Sequence, residues 1–182
     1  MGFDMNAFSL AGKKAIVTGG AKKTGLCYGM AVALHDAGAE IVILDANSQV
    51  ENTVAELGGA KSGYHAVVAN LLDLNDLSNG FQQAISALGG RLDILVNGAG
   101  LQYRCPSEEF PEDAWDRIMG VNIKGVFFMS QLAGKVMLKQ GKGKIINIAS
   151  TNSFIGLRNM PAYVSSKGGV KQLTMALSSE WS

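Results

Sequence analysis

From Lys14 to the C-terminus, short apolar runs alternate with longer amphipathic stretches, and nothing else in the sequence restricts the fold as tightly. Strands are predicted at Lys14–Thr18, Glu40–Leu44, Tyr64–Val68, Asp93–Val96 and Lys144–Ala149. Several are nearly continuous β-branched runs, as required of strands covered by helices on both faces. Helices are predicted near Gly25–Ala37, Gln49–Leu57, Leu74–Leu88, Pro111–Lys139 and Pro161–Trp181, with glycines such as Gly38, Gly58, Gly89 and Gly141 placed to end them. Each crossover is long enough to return the chain parallel to the preceding strand. Right-handed connections then give an α/β fold with a doubly wound parallel sheet in the strand order 3-2-1-4-5.

The first strand runs directly into Thr18-Gly19-Gly20-Ala21-Lys22-Lys23-Thr24-Gly25-Leu26-Cys27, and a helix rich in small residues follows. Glycines let a backbone turn sharply and approach a pyrophosphate, whose charge the unpaired amides of a helix start stabilise. A tight strand-to-helix turn has the same glycines; the position after the first strand is what points to a nucleotide. Gly19, Lys23, Thr24, Gly25 and Leu26 are therefore the candidate phosphate-binding residues. Gly19 and Gly25 are six apart, and Cys27 stands where a third glycine would allow close helix packing, so a bulged loop is expected.

Asp45 ends the second strand. A carboxylate there accepts both hydroxyls of an adenosine ribose and repels a 2′-phosphate, which favours NAD over NADP. Lys22 and Lys23 pull the other way: they either pair with a 2′-phosphate, which admits NADP, or are solvated loop charges. Asn70-Leu71 at the third strand end is placed to frame the adenine. At the fourth, Asn97-Gly98-Ala99-Gly100 brings backbone close to the cofactor. Each of these also reads as an ordinary strand-end turn.

Ser150 follows the fifth apolar run, and thirteen positions on, Tyr163-Val164-Ser165-Ser166-Lys167 sets a tyrosine four residues ahead of a lysine. On a helix the two share a face about a turn apart, so an ammonium can sit close to a phenol. A free phenol titrates near 10; bringing one to neutrality takes roughly three pKa units, on the order of 4 kcal/mol, which a neighbouring cation and a desolvated cleft can supply. A tyrosine so tuned is an acid–base catalyst, and the Ser150 hydroxyl is placed to donate to a substrate carbonyl oxygen. The same spacing also occurs on exposed helix faces with no chemistry attached.

Composition enters through what it excludes. Of 182 residues, 47% are hydrophobic, enough for the core of a single domain covering residues 1–182. A net charge of +1 with dispersed lysines offers no basic stripe, so no nucleic-acid partner is expected. The first residues lack a charged region followed by a long apolar run, and no later segment approaches a membrane span, so no membrane association is expected. Cys27 and Cys105 have no metal-ligand spacing; no metal is expected, and a reducing cytoplasm is the natural compartment.

With the glycine loop, Asn97-Gly98-Ala99-Gly100, Asn122, Ser150, Tyr163 and Lys167 in this order and at these spacings, the chain resembles the short-chain dehydrogenase/reductase family from Leu10 to Trp181. The resemblance implies a Rossmann-like NAD(P)-binding domain, an NAD(P)-dependent oxidoreductase, a small-molecule substrate and a homo-oligomer, dimeric or tetrameric. It implies that Tyr163 is the general acid/base, that Lys167 tunes it and binds the nicotinamide ribose, and that Ser150 polarises the substrate carbonyl. Asn122 would hold a water of the proton relay; read from the residues alone it is a mid-helix kink residue. Gln102–Pro111 and Gly143–Phe154 are similar to the branch that contains gluconate 5-dehydrogenase and 2-deoxy-D-gluconate 3-dehydrogenase, which implies a secondary alcohol on a sugar acid. A substrate carboxylate wants a cationic fork, for which Arg104 and Arg158 are the candidates, each with the alternative of a plain surface charge.

The sequence departs from the family pattern at Gly98, where a second asparagine is usual, at Asn70, where an acidic residue is usual, and at Cys27. It also ends where the helix bearing Tyr163 finishes, whereas the family pattern continues with two further strands and a substrate-covering segment. The expectation is a sheet lacking the family's last two strands, with an exposed fifth-strand edge and a site more open to water. A non-catalytic dinucleotide-binding fragment or an assembly partner is the corresponding alternative to an enzyme.

Overall fold

The computed structural model describes residues 5–182. At its centre β1 (Lys14–Thr18), β2 (Glu40–Asp45), β3 (Tyr64–Val68), β4 (Ile94–Asn97) and β5 (Lys144–Asn147) form one sheet in the order β3-β2-β1-β4-β5, as expected from the crossovers. Every pairing is parallel, with Ile16 opposite Val42 and Leu95, and Asn97 opposite Asn147. The strand ends differ slightly from expectation. β5 stops at Asn147 rather than Ala149 because Ile148 makes the last ladder bond, its N–H donating to Asn97 O (3.0 Å), before the chain turns away at Ser150.

Side-chain alternation along the strands fills two apolar layers. Ile16, Val42, Leu44, Val67 and Leu95 face one side, where Leu77, Phe81, Ala84 and Leu88 meet them together with Met129, Ala133 and Met137. The first four come from α3 (Leu74–Ala87) and its C-cap, at the spacing that keeps residues on one helix face; the last three belong to α5 (Val126–Gln140). Ala15, Val17, Ile41, Ile43 and Val96 face the other side, against α1 (Leu26–Asp36) and α2 (Gln49–Glu56). Burying a side chain such as Phe81 or Ile16 is worth about 1.5–3 kcal/mol, so the layers dominate the folding energy. Asp73 caps α3 by accepting from the amides of Asn75 and Asp76, each an otherwise orphaned donor.

The stretch expected to be one helix, Pro111–Lys139, is broken. It comprises α4 (Glu112–Met119), a π-helical turn over Gly120–Gly125, and α5. α6 (Pro161–Trp181) starts with proline, whose missing N–H costs nothing at a helix start. β5 is the terminal strand of the sheet, with Ile146 45% exposed. Beside it lies an open groove of about 670 Å³ lined by Met137, Leu138, Ile145, Thr174, Leu177 and Trp181. Among the described residues no helix is long and apolar enough to cross a membrane.

Candidate active site

The C-terminal ends of β1, β2, β4 and β5 and the N-terminal end of α1 converge, as they must in a doubly wound sheet whose order reverses between β1 and β4. β1 ends in Thr18, whose buried hydroxyl accepts the amides of Gly98 (3.0 Å) and Ala99 (3.1 Å) and so ties the β1 turn to the β4 turn. Gly19, at φ 88°, passes so close to that turn that a Cβ on it would lie 2.7 Å from Ala99 Cα. Only glycine fits. Gly25 precedes α1 without a side-chain cap, so the first amides of that helix are left for a ligand; Leu26 is 70% exposed beside them and Thr24 is exposed.

The bulge between Gly19 and Gly25 is held down rather than free. Ala21 donates its N–H to Asp45 Oδ2 (2.9 Å), its carbonyl accepts from the buried Thr53 hydroxyl (2.7 Å), and Lys23 pairs with Glu56. Asp45 Oδ1 accepts from Asn47 N (2.9 Å). Each Asp45 oxygen therefore already holds one amide, and ribose hydroxyls would meet the remaining lone pairs. Lys22 is exposed and has no ion pair among the described residues. Asn70 is exposed, its Oδ1 accepting from Leu72 N, while the Leu71 side chain is buried in the core. Asn97 is likewise turned inward: its Nδ2 donates to Ser130 Oγ (3.0 Å) and Asn147 Oδ1 (2.9 Å), and its buried Oδ1 has no hydrogen-bond partner among the described residues.

Two departures noted in the sequence prove to be one. A Cβ on Gly98 would lie 2.5 Å from Cys27 Sγ. The thiol that replaces a helix glycine occupies the space that a side chain at position 98 would need, and the bare Gly98 accommodates it. Burial, followed by the charge of Asp45, pushes the Cys27 thiol up, against the opposing influence of Lys167.

At the other end of the cleft Lys167 is 5% exposed, and its ammonium donates to Ile148 O (2.6 Å). It stands 5.8 Å from the centroid of the half-buried Tyr163 ring and would be 3.8 Å from a Cβ on Gly100, which therefore fronts it without a screening side chain. Burial pulls the Lys167 amine below the usual lysine value. Ser150 Oγ accepts from Asn152 N (3.2 Å) as the cap of a short 3₁₀ turn, which leaves its proton to donate elsewhere. The same turn is tied to α6: Ser150 N donates to Ser153 Oγ (3.3 Å), and Ser153 Oγ to Lys167 O (2.8 Å).

Asn122 sits in the π turn, fully buried. Its Oδ1 accepts from Leu101 N (2.7 Å), and its Nδ2 donates to Leu101 O (2.9 Å) and to Ser166 Oγ (3.0 Å), whose own hydroxyl donates to Tyr163 O (2.8 Å). In these bonds the Asn122 amide stitches the β4 turn to α6. Arg104 and Arg158 are both exposed, without ion pairs among the described residues, on loops that one backbone bond joins: Cys105 N to Asn159 O (2.9 Å). No group of three or more His, Cys, Asp or Glu among the described residues is placed to hold a metal ion.

Thr18, Thr53, Glu56, Ser153 and Ser166 are site-shaping residues that the sequence did not single out. Only Thr18 carried a signal, lying directly between the first strand and Gly19. The others act through tertiary contacts.

Fold and site together define a doubly wound dinucleotide-binding protein with a Ser-Tyr-Lys group at the end of its fourth and fifth strands. Residues 13–182 match the family model described as short chain dehydrogenase, and the chain belongs to that family of NAD(P)-dependent oxidoreductases. It is 42% identical to the 2-dehydro-3-deoxy-D-gluconate 5-dehydrogenase of Escherichia coli over 97% of this chain and 69% of that one. To the gluconate 5-dehydrogenase of Gluconobacter oxydans it is 35% identical, over 96% of this chain and 67% of that one. The crystal structure of a gluconate 5-dehydrogenase from Burkholderia cenocepacia, in complex with NADP and tartrate, superposes with a TM-score of 0.89 at 32% identity, covering 97% of this chain and 68% of that one.

Proposed function

We propose that the chain interconverts a secondary alcohol and a ketone on a gluconate-like sugar acid, with NAD or NADP as the redox partner and Tyr163 as general acid/base. The observation that carries this reading is the pairing of a buried Lys167 ammonium 5.8 Å from the Tyr163 ring centroid with a Ser150 hydroxyl whose proton is uncommitted. The free amides of α1, the close Gly19–Ala99 approach and the unscreened Gly100 fit a dinucleotide laid from the β1–β2 end to Lys167. A nicotinamide bound there supplies the hydride acceptor or donor.

The protein's own residues handle the proton. In the oxidative direction the Tyr163 phenolate oxygen takes the proton of the substrate hydroxyl as the carbonyl forms, while Ser150 donates a hydrogen bond to that same oxygen; in reduction Tyr163 returns the proton. Lys167, held by Ile148 O, supplies the positive charge that favours the phenolate. Arg104 and Arg158, unpaired and on joined loops, form the fork for a substrate carboxylate. The named sugar-acid dehydrogenases among the relatives support that class of substrate.

The departures at Cys27, Asn70 and Gly98 motivate a second reading, dinucleotide binding without turnover. Calorimetry with NAD, NADP and ADP-ribose, followed by a turnover panel of gluconate-type acids and neutral polyols, separates the two. Reduction of dinucleotide with the acids supports the oxidoreductase; binding of ADP-ribose as tight as NAD with no turnover on any substrate leaves only the second.

A further inference from the structure

The grip of α2 on the phosphate loop bears on which dinucleotide is preferred. Thr53 and Glu56 lie three positions apart on one face of α2, and both reach the bulge: Thr53 through Ala21 O, Glu56 through the Lys23 ammonium. The Ala21 N–H held by Asp45 Oδ2 fixes this bulge against the end of β2, where an adenosine ribose would meet the Asp45 carboxylate. Lys23, two positions further along, pairs with Glu56, so its charge is turned toward α2. Glu56 is the final residue of α2, at the negative end of the helix dipole, where a carboxylate is disfavoured unless a cation answers it. Lys23 is that cation.

We propose that Glu56 is a specificity-determining residue: by pairing with Lys23 it withholds that lysine from a 2′-phosphate, so that Asp45 sets the preference and NAD is favoured. The inference rests on the reading of this cleft as a dinucleotide site. Both partners are about half exposed, so the pair is an exposed one and its effect is modest. Its removal should alter the ratio of NADP to NAD affinity by about two- to fivefold.

The test is calorimetric titration of the 182-residue protein with NAD and with NADP, for wild type, Glu56→Gln, Lys23→Gln and the double variant, at two salt concentrations. Both substitutions lie on exposed side chains, and thermal melts confirm that each variant folds. Glu56→Gln should tighten NADP binding relative to NAD, more so at low salt, and Lys23→Gln in that background should cancel the gain. Lys23→Gln alone should weaken NADP binding less than it does in the Glu56→Gln background. An NADP-to-NAD ratio unmoved by Glu56→Gln overturns the inference while leaving the site reading intact. So does a gain that persists without Lys23, because it would report only the direct repulsion by Glu56. A wild-type protein that binds neither dinucleotide overturns the site reading and this inference together.

Discussion

Cys27 and Gly98 illustrate how single residues in this site depend on one another. A Cβ at position 98 would meet Cys27 Sγ at 2.5 Å, Thr18 O at 3.1 Å and Cys27 Cβ at 3.6 Å, so the sharpest clash is with the sulfur. Gly98→Ala should therefore destabilise the protein by about 1–3 kcal/mol, the usual cost of overpacking. In a Cys27→Ala background most of that cost should disappear, and a double-mutant cycle on chemical denaturation should give a coupling of about 1 kcal/mol or more. Additive effects would mean that the helix start simply moves aside. From sequence the two positions read as separate departures from a family pattern, since nothing in a linear string says that residues 27 and 98 touch. The Lys23–Glu56 pair was hidden for the same reason, whereas Asp45, Ser150, Tyr163 and Lys167 stand out as candidates by position at a strand end or spacing on a helix.

Among the elements, the π turn at Gly120–Gly125 has the largest consequences for the site. Its extra residue per turn re-aims Asn122 so that one amide side chain closes both polar groups of Leu101 and reaches Ser166 on α6. Replacing Asn122 by alanine takes away the side-chain partners of the part-buried Leu101 amide and carbonyl, at a cost of about 1 kcal/mol each. Asn122→Ala should lower the midpoint of thermal unfolding and reduce kcat more than the affinity for dinucleotide, because the strand-end loop and the helix bearing Tyr163 lose their common anchor. Equal stability to wild type would show that the anchor is dispensable. Periodicity along residues 111–139 predicted a single helix, since one inserted residue barely disturbs an amphipathic pattern. The strands were read to within two residues of their ends; β2 and β4 differ by one residue, and the larger difference falls where β5 gives way to the Ser150 cap.

For the molecule as a whole, sheet order was legible because crossover length and the right-handed rule leave few alternatives, and the observed order is the one expected. The two carboxylates at the other end of the sheet make its stability pH-dependent. The hydrogen bond from Lys14 is the chief influence drawing the Glu40 carboxyl down, with burial opposing it and His65 assisting. For Asp93 burial pushes upward, but the Arg91 guanidinium and the Lys14 amide together outweigh it and leave the carboxyl below its ordinary value. Groups depressed in the folded state contribute stability that is present above their unfolded values of about 4 and is lost as pH falls through the folded ones. Denaturant midpoints should therefore hold steady from neutrality down to about pH 5 and then drop. Asp93→Asn should flatten that drop; an unchanged acid limb would place the titrating groups elsewhere.

Proton transfer by Tyr163 is tested most directly by steady-state reduction of NAD or NADP with gluconate-type acids by wild type and by Tyr163→Phe. Removal of that one hydroxyl should lower kcat by roughly 10²–10⁴-fold while calorimetric dinucleotide affinity is retained. A Tyr163→Phe protein turning over within about tenfold of wild type, less than the loss of a general acid/base should cost, would contradict it.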